Sequence, residues 1–312
     1  MYLTGLAYEL GESHPATELR ECVDGGVLES LLGDGIVDFR RSRVSRSLLG
    51  ARSFARTLDA WQGDPDALDL ILYCSETMSP DVRAGAEFHH FCNGRGLSKT
   101  PIVGLSLSRC GNLMPALRFA RSQIRAEGLR NVAIVTADVG VDSRRIAQMN
   151  LAILSDGAAS CIVTADPRGA EFRLLGMAQT SDHEVLELDI GTHRLQLLQI
   201  IANGIRRAKR AALADAGLES TAVSHLYCAT MRLGAVKFMA QLCGIKPSNT
   251  FDGCVAATSH VFSADLIVNL IESGDWRAAQ GLTARPFLAL LMGTHTWGAL
   301  VAESVDPDGS DR

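Results

Sequence analysis

Ser106-Leu-Ser-Arg-Cys-Gly-Asn-Leu-Met-Pro-Ala-Leu-Arg-Phe-Ala120 leads into an amphipathic run that ends at Glu127, and Asn131-Val-Ala-Ile-Val-Thr-Ala137 follows after a short turn. From Leu113 to Glu127 the apolar residues return at three- and four-residue spacing with basic residues on the other face, which predicts a helix. The run from Asn131 is short, apolar and bounded by polar turns, which predicts a buried strand. The same strand pattern recurs at Leu68-Asp-Leu-Ile-Leu-Tyr-Cys, Ala159-Ser-Cys-Ile-Val-Thr and Phe287-Leu-Ala-Leu-Leu-Met, and a second helical pattern covers Gln196 to Ala216. Strand and helix alternate, so the fold class is α/β with a largely parallel sheet.

Cys110 stands immediately ahead of the first of these helices, with Gly111 allowing close backbone approach. The positive end of a helix dipole and its unpaired N–H groups favour a thiolate there and can face an oxyanion. A buried structural cysteine at a helix start is the plainer alternative, and spacing alone does not separate the two.

Composition narrows the field. A single core stops growing at about 250–300 residues, so a chain of 312 residues suits one large domain or two modest units around a shared core. With 47% hydrophobic and 21% charged residues it reads as an ordinary globular protein. A net charge of −5 with scattered Lys and Arg gives no continuous basic face, so nucleic acid is not an expected partner. The opening MYLTGLAYELGESHP lacks the pattern of a signal peptide, and no apolar stretch reaches the roughly 20 residues that span a bilayer, which predicts a cytoplasmic protein with no membrane segment. The eight cysteines form no Cys-x-x-Cys pair, so reduced, mostly buried thiols are expected, with neither disulfides nor a metal. A boundary is easiest to draw in the turn-rich stretch from Ala165 to Asp189; placed near Arg168, it divides the chain into residues 1–168 and 169–312. The acidic tail from Glu303 to Arg312 is expected to lie loose on the surface.

Five stretches, in order, resemble the ketoacyl-ACP synthase III family. Leu68 to Thr77 followed by Pro80 is similar to its first strand and loop, and Cys110-Gly-Asn-Leu-Met-Pro-Ala-Leu to its Cys-Ser-Gly helix start. Asn131 to Asp138 resembles the next strand, Leu154-Ser-Asp-Gly-Ala-Ala-Ser the Phe-Gly-Asp-Gly-Ala-Gly turn, and Gly293-Thr-His-Thr-Trp-Gly-Ala-Leu the closing Gly-rich loop. The resemblance covers nearly the whole chain. It implies a five-layered αβαβα thiolase fold with two structurally similar halves, a homodimer, and an acyl-cysteine at Cys110 formed from an acyl-CoA or acyl-carrier-protein donor, with no resident cofactor. It also implies an oxyanion hole from the backbone of Cys110 and Gly293, since a backbone donor in this loop needs a residue that permits close approach.

Two family residues are missing. Family ketosynthases pair the cysteine with His and Asn to decarboxylate a malonyl thioester; here Ala229 stands in the place of the His, and Asp252-Gly-Cys-Val-Ala-Ala-Thr-Ser-His-Val-Phe-Ser-Ala-Asp265 replaces the Asn segment. Without those groups the carbanion loses its electrostatic support. His260 and Asp265 in the replacement instead resemble the acyltransferase branch found in antibiotic pathways. A neutral His beside an acyl-cysteine takes the proton of an alcohol or amine acceptor, and a carboxylate fixes its tautomer. The plainer readings are a loop histidine bonded to backbone and an aspartate that complements a helix end. His295, in the Gly-rich loop, is a candidate for binding the acceptor or for a pocket wall. His193 is a lesser candidate for meeting substrate, and Arg40, Arg41, Arg43 and Arg46 form a basic cluster facing either solvent or a carrier's phosphopantetheine. The expected function is transfer of an acyl group from a thioester through Cys110 to an oxygen or nitrogen of a small molecule in secondary metabolism. The alternatives are a carbon–carbon bond-forming ketosynthase in which His260 or His295 takes over, and a non-catalytic partner subunit.

Overall fold

A computed structural model describes residues 1–61, 63–76 and 85–305. Thr77 and Pro80 of the first motif and residues 306–312 of the acidic tail lie outside the described residues.

The strands are β1 (Tyr2–Leu10), β2 (Glu12–Pro15), β3 (Asp38–Arg41), β4 (Leu70–Cys74), β5 (Ile102–Leu105), β6 (Asn131–Asp138), β7 (Gly157–Thr164), β8 (Phe172–Ser181), β9 (His225–Tyr227), β10 (Phe287–Met292) and β11 (Thr296–Ser304). The helices are α1 (Gly25–Gly33), α2 (Arg46–Ala60), α3 (Ala86–Gly94), α4 (Leu113–Ala126), α5 (Arg194–Ala216), α6 (Leu233–Cys243), α7 (Asp265–Glu272) and α8 (Gly274–Ala279). Each apolar run singled out in the sequence is a strand, and both helical patterns are helices. β2 and β3 make a small separate ribbon.

The main sheet runs β5-β4-β6-β7-β1-β8-β11-β10-β9. It is mixed rather than largely parallel: β1 pairs antiparallel with β7 and β8, as do β6 with β7, β8 with β11 and β10 with β11. Among the described strands only β4 with β5, β4 with β6, and β9 with β10 are parallel. Connection length explains the correction. Helical crossovers separate the parallel neighbours, whereas β10 turns into β11 through a short loop that allows only antiparallel pairing. The order also repeats. Reading outward from the centre, β1-β7-β6-β4 and β8-β11-β10-β9 each pair antiparallel, antiparallel, then parallel, and the two sets meet where Tyr2 lies opposite Arg173 and Leu3 opposite Phe172.

Three cores give the layers. A central core unites Leu113, Met114 and Leu117 of α4 and Ile267 and Leu270 of α7 with Leu72, Ile134, Cys161, Ala289 and Leu300 from the inner faces of both sets of strands. On one outer face Phe54 of α2 and Phe88 and Cys92 of α3 cover Ile71, Ala133 and Val135. On the other, Ile205 and Ala208 of α5 and Met239 of α6 cover Leu288, Leu290 and Trp297. Helices, strands, helices, strands and helices therefore stack in five layers. α4 and α7 in the middle carry their apolar surface to both sides, and their N-terminal ends bring Cys110 and Asp265 into the interior.

Candidate active site

Cys110 lies in a single helical turn, Arg109–Gly111, that runs into α4. Asn112 fixes this turn to the end of β4: its Oδ1 accepts the Ser108 N–H at 3.0 Å and its Nδ2 donates to the Ser75 carbonyl at 3.2 Å, with the residue fully buried. Arg109 holds a left-handed φ of 51°. Ser259 and Phe262, which flank His260, sit at 50° and 49°. Such backbone costs about 1–3 kcal/mol per residue and persists where surrounding contacts impose it, typically at functional sites.

The contacts that impose it are visible. His260 donates its backbone N–H to the Ile153 carbonyl and accepts from the Ser155 N–H, so its loop is stapled to the turn that begins at Leu154. Ser155 Oγ donates to the Thr258 carbonyl, and Ser263 Oγ donates to the carbonyl of Arg109, which ties the histidine loop to the nucleophile turn. The turn from Leu154 is itself clamped, because buried Asp156 meets Arg145 at 2.8 Å and accepts the backbone N–H groups of Ser42 and Gly140.

His260 and Asp265 are both buried, and His260 Nδ1 lies 2.5 Å from Asp265 Oδ2. Asp265 also accepts the Val261 N–H on Oδ1 and the Thr230 N–H on Oδ2, each at 2.6 Å. Its carboxylate therefore serves this network, and no side-chain cap forms on α7. With Nδ1–H committed to Asp265, the neutral imidazole keeps its lone pair on Nε2. Burial pushes His260 toward the neutral form, but Asp265 first, then Glu76 and Asp138, outweigh it and hold its pKa above the ordinary histidine value.

Around Cys110 the charges oppose a thiolate. Cys110 Sγ donates to Glu76 Oε2 at 2.9 Å, and Glu76 Oε1 meets the Arg109 guanidinium at 3.3 Å. Burial, then the Glu76 carboxylate, with Asp138 and Asp265 adding to it, raises the thiol well above the usual cysteine range. The lowered thiol pKa expected from the helix end is thus overruled by its neighbours. Asp138, at the end of β6, accepts the Ser75 hydroxyl and the Glu76 N–H. Burial pushes its carboxyl up to about 7 despite those bonds. Neither Glu76 nor Asp138 is among the sequence-predicted site residues.

Gly293 packs closely against the nucleophile turn. A Cβ on Gly293 would lie 2.2 Å from the Ser108 carbonyl oxygen, and one on Gly111 3.0 Å from the Gly293 nitrogen. The Gly293 N–H donates to the Thr296 carbonyl in this structure. His295, in the same loop, stacks near His183 with ring centroids 4.8 Å apart, and burial, His183 and Arg109 lower its pKa. Ala229 is buried beside Ala152 and Met231. His193 precedes α5, bonded to the Thr192 hydroxyl. In the basic cluster Arg41 pairs with Glu18 and Asp142, Arg43 with Glu12, and Arg40 donates to the Ala257 carbonyl, so much of its charge is spent within the protein. Among the described residues no three ligating side chains cluster as a metal site would require, and no helix is long and apolar enough to cross a membrane.

No family model and no curated protein sequence matches the chain. Solved structures do. A 3-oxoacyl-[acyl-carrier-protein] synthase III from Aquifex aeolicus is 18% identical with a TM-score of 0.79, covering 97% of this chain and 99% of that one. ChlB3, an acyltransferase, is 16% identical with a TM-score of 0.80 and 98% coverage of both chains. A priming β-ketosynthase of a polyketide biosynthetic pathway is 17% identical with a TM-score of 0.76, covering 98% and 96%. With five layers, a repeated strand order and likeness along the whole length of these structures, the chain has the thiolase fold of the ketoacyl-ACP synthase III structures.

Proposed function

We propose that the protein is an acyltransferase that loads an acyl group from an acyl-CoA or acyl-carrier-protein thioester onto Cys110 and passes it to an oxygen or nitrogen of a small molecule in secondary metabolism. The observation that carries this reading is the buried His260–Asp265 pair on a loop tied to the cysteine turn, with buried Ala229 standing in the place of the histidine that decarboxylation uses. Cys110 attacks the thioester carbonyl and holds the acyl group. His260 Nε2 then takes the acceptor's proton as its oxygen or nitrogen attacks the acyl-cysteine, and Asp265 holds the imidazole in the required tautomer and stabilises the imidazolium. Backbone N–H groups of Cys110 and Gly293 receive the oxyanion, the latter once it exchanges its bond to Thr296 for the developing charge. His295 lines the acceptor side. The similar structures include both an acyltransferase and ketosynthases, so the fold serves either chemistry, and the His260–Asp265 pair favours the transferase. A homodimer accords with the family likeness, and light scattering checks it.

Intact-protein mass spectrometry after incubation with a panel of acyl thioesters tests the loading. A second arm follows carbon dioxide release from malonyl-CoA. Acyl adducts that map to Cys110, with no malonyl decarboxylation, support the transferase; decarboxylation with carbon–carbon bond formation replaces it by a condensing enzyme.

A further inference from the structure

The loading half-reaction has a proton to move, and the residue that touches it is not His260. The Cys110 thiol donates to Glu76 Oε2 at 2.9 Å, and Arg109 holds the other oxygen of the same carboxylate. Glu76 is itself fixed, since its N–H donates to Asp138, its carbonyl accepts the Ser106 hydroxyl, and its side chain is only 16% exposed. Among the described residues, the carboxylates whose charge acts on Cys110 are Glu76 beyond β4, Asp138 at the end of β6 and Asp265 at the start of α7; Arg109 stands in its own turn, and His260 is paired with Asp265.

We propose that Glu76 is the proton carrier of the loading half-reaction, taking the Cys110 proton as Sγ attacks the donor thioester and returning it to the departing thiolate. The inference rests on the reading of Cys110 as the acyl carrier. The step balances: the Sγ–carbonyl carbon bond forms, the carbon–sulfur bond of the donor breaks, the thiol proton passes through Glu76 to the leaving sulfur, and neither oxidant nor reductant is required. The two half-reactions then use different bases. Glu76 serves the thiol and the leaving thiol, and His260 with Asp265 serves the acceptor. Once Cys110 is acylated it has no proton to donate to Glu76, which frees that carboxylate without involving the histidine pair.

A carboxylate that merely orients a buried thiol would have different consequences, and two reagents separate the cases. Iodoacetamide reports thiolate alone, because iodide leaves without a proton. Acetyl-CoA needs the leaving thiolate protonated as well. In Glu76→Gln the negative charge beside Sγ is gone, so the pH midpoint of alkylation should fall. Acetyl loading near neutral pH should nevertheless slow by about 10²-fold, the low end for loss of a general acid–base group. Glu76→Asp should recover part of the loading rate. Loading that follows alkylation in Glu76→Gln, whether both rise or both stay the same, would overturn the proposal. Failure of the parent protein to take an acyl group from acetyl-CoA or longer acyl-CoA thioesters would instead overturn the acyl-carrier reading and this proposal with it, so the two failures appear in different proteins.

Discussion

Asp265→Asn tests the second half-reaction most directly, because the structure fixes what an amide at that position meets. Three donors converge on the carboxylate: the Val261 N–H on Oδ1, and the Thr230 N–H and His260 Nδ1–H on Oδ2. Asparagine offers one oxygen. If that oxygen replaces Oδ2, the amide NH₂ faces the Val261 N–H, and an unpaired buried donor costs about 1–3 kcal/mol. If it replaces Oδ1, the NH₂ faces Thr230 and drives His260 to accept at Nδ1, which puts the proton on Nε2 where the base must act. The same tautomer error in a Ser-His-Asp site lowers turnover by about 10⁴. The expected loss here is a 10²–10⁴-fold slower transfer, the span for a disabled general base. The pH dependence gives a second reading. Burial opposes the charged imidazole and Asp265 outweighs it, so the parent's transfer rises with pH through a midpoint above the ordinary histidine value. Removing the charge should move that acid limb to lower pH while the plateau falls. The assay acetylates Cys110 with acetyl-CoA, removes the excess, adds ethanolamine, and follows decay of the adduct by intact mass across the histidine titration range. A decay rate and acid limb both unchanged in Asp265→Asn would refute the reasoning and leave His295 as the remaining histidine near the cysteine.

Three further outcomes are expected. Cys110→Ala should form no acyl adduct yet keep its circular dichroism and melting temperature, since the residue is only half-buried and loses a single sulfur atom; a persistent adduct would show that another side chain carries the acyl group. Asp156→Ala should destabilise by about 2–5 kcal/mol in denaturant unfolding, because it takes from buried Arg145 one of its two carboxylate partners, leaving Asp142, and frees two backbone donors at about 1–3 kcal/mol each. A loss below about 1 kcal/mol, the scale of an exposed pair, would refute the clamp. Asp138 has a folded pKa raised to about 7 from 3.8, so the folded state binds its proton more tightly than the unfolded state does, and the parent loses stability as pH rises between those values. Asp138→Asn escapes that loss, so its melting temperature relative to the parent should climb over the same window and level off above it; a difference independent of pH would contradict the burial argument.

The sequence makes some of this legible and hides the rest for physical reasons. An apolar run announces a strand wherever it lies, so Leu70–Cys74, Asn131–Asp138 and Phe287–Met292 were readable one at a time. Strand direction was not, because β1 takes β7 and β8 as neighbours from at least 147 residues away, the separation of Leu10 and Gly157, and no local pattern encodes that pairing. In the candidate site, Cys110 and Asp265 stand out in the sequence by their place at helix starts, and His260 with Asp265 by the family likeness. Glu76 follows the apolar run that ends at Cys74, where the residue pattern alone indicates a loop. One signal was available, for β4 and β6 are parallel neighbours with Cys74 opposite Thr136, and each apolar run gives way to a carboxylate, Glu76 and Asp138, at the same end of the sheet. Polar side chains at the carboxyl ends of adjacent parallel strands mark where such sheets bind and react. Recognising their consequence also takes a comparison of magnitudes. A helix terminus favours an anion by about 0.3–1 kcal/mol, up to about 2 when partly buried. Unit charges about 4 Å apart interact by about 4 kcal/mol at an effective dielectric of ~20. The carboxylate 2.9 Å from Sγ therefore outweighs the helix end, and the Cys110 thiol keeps its proton until a base in contact with it takes that proton away.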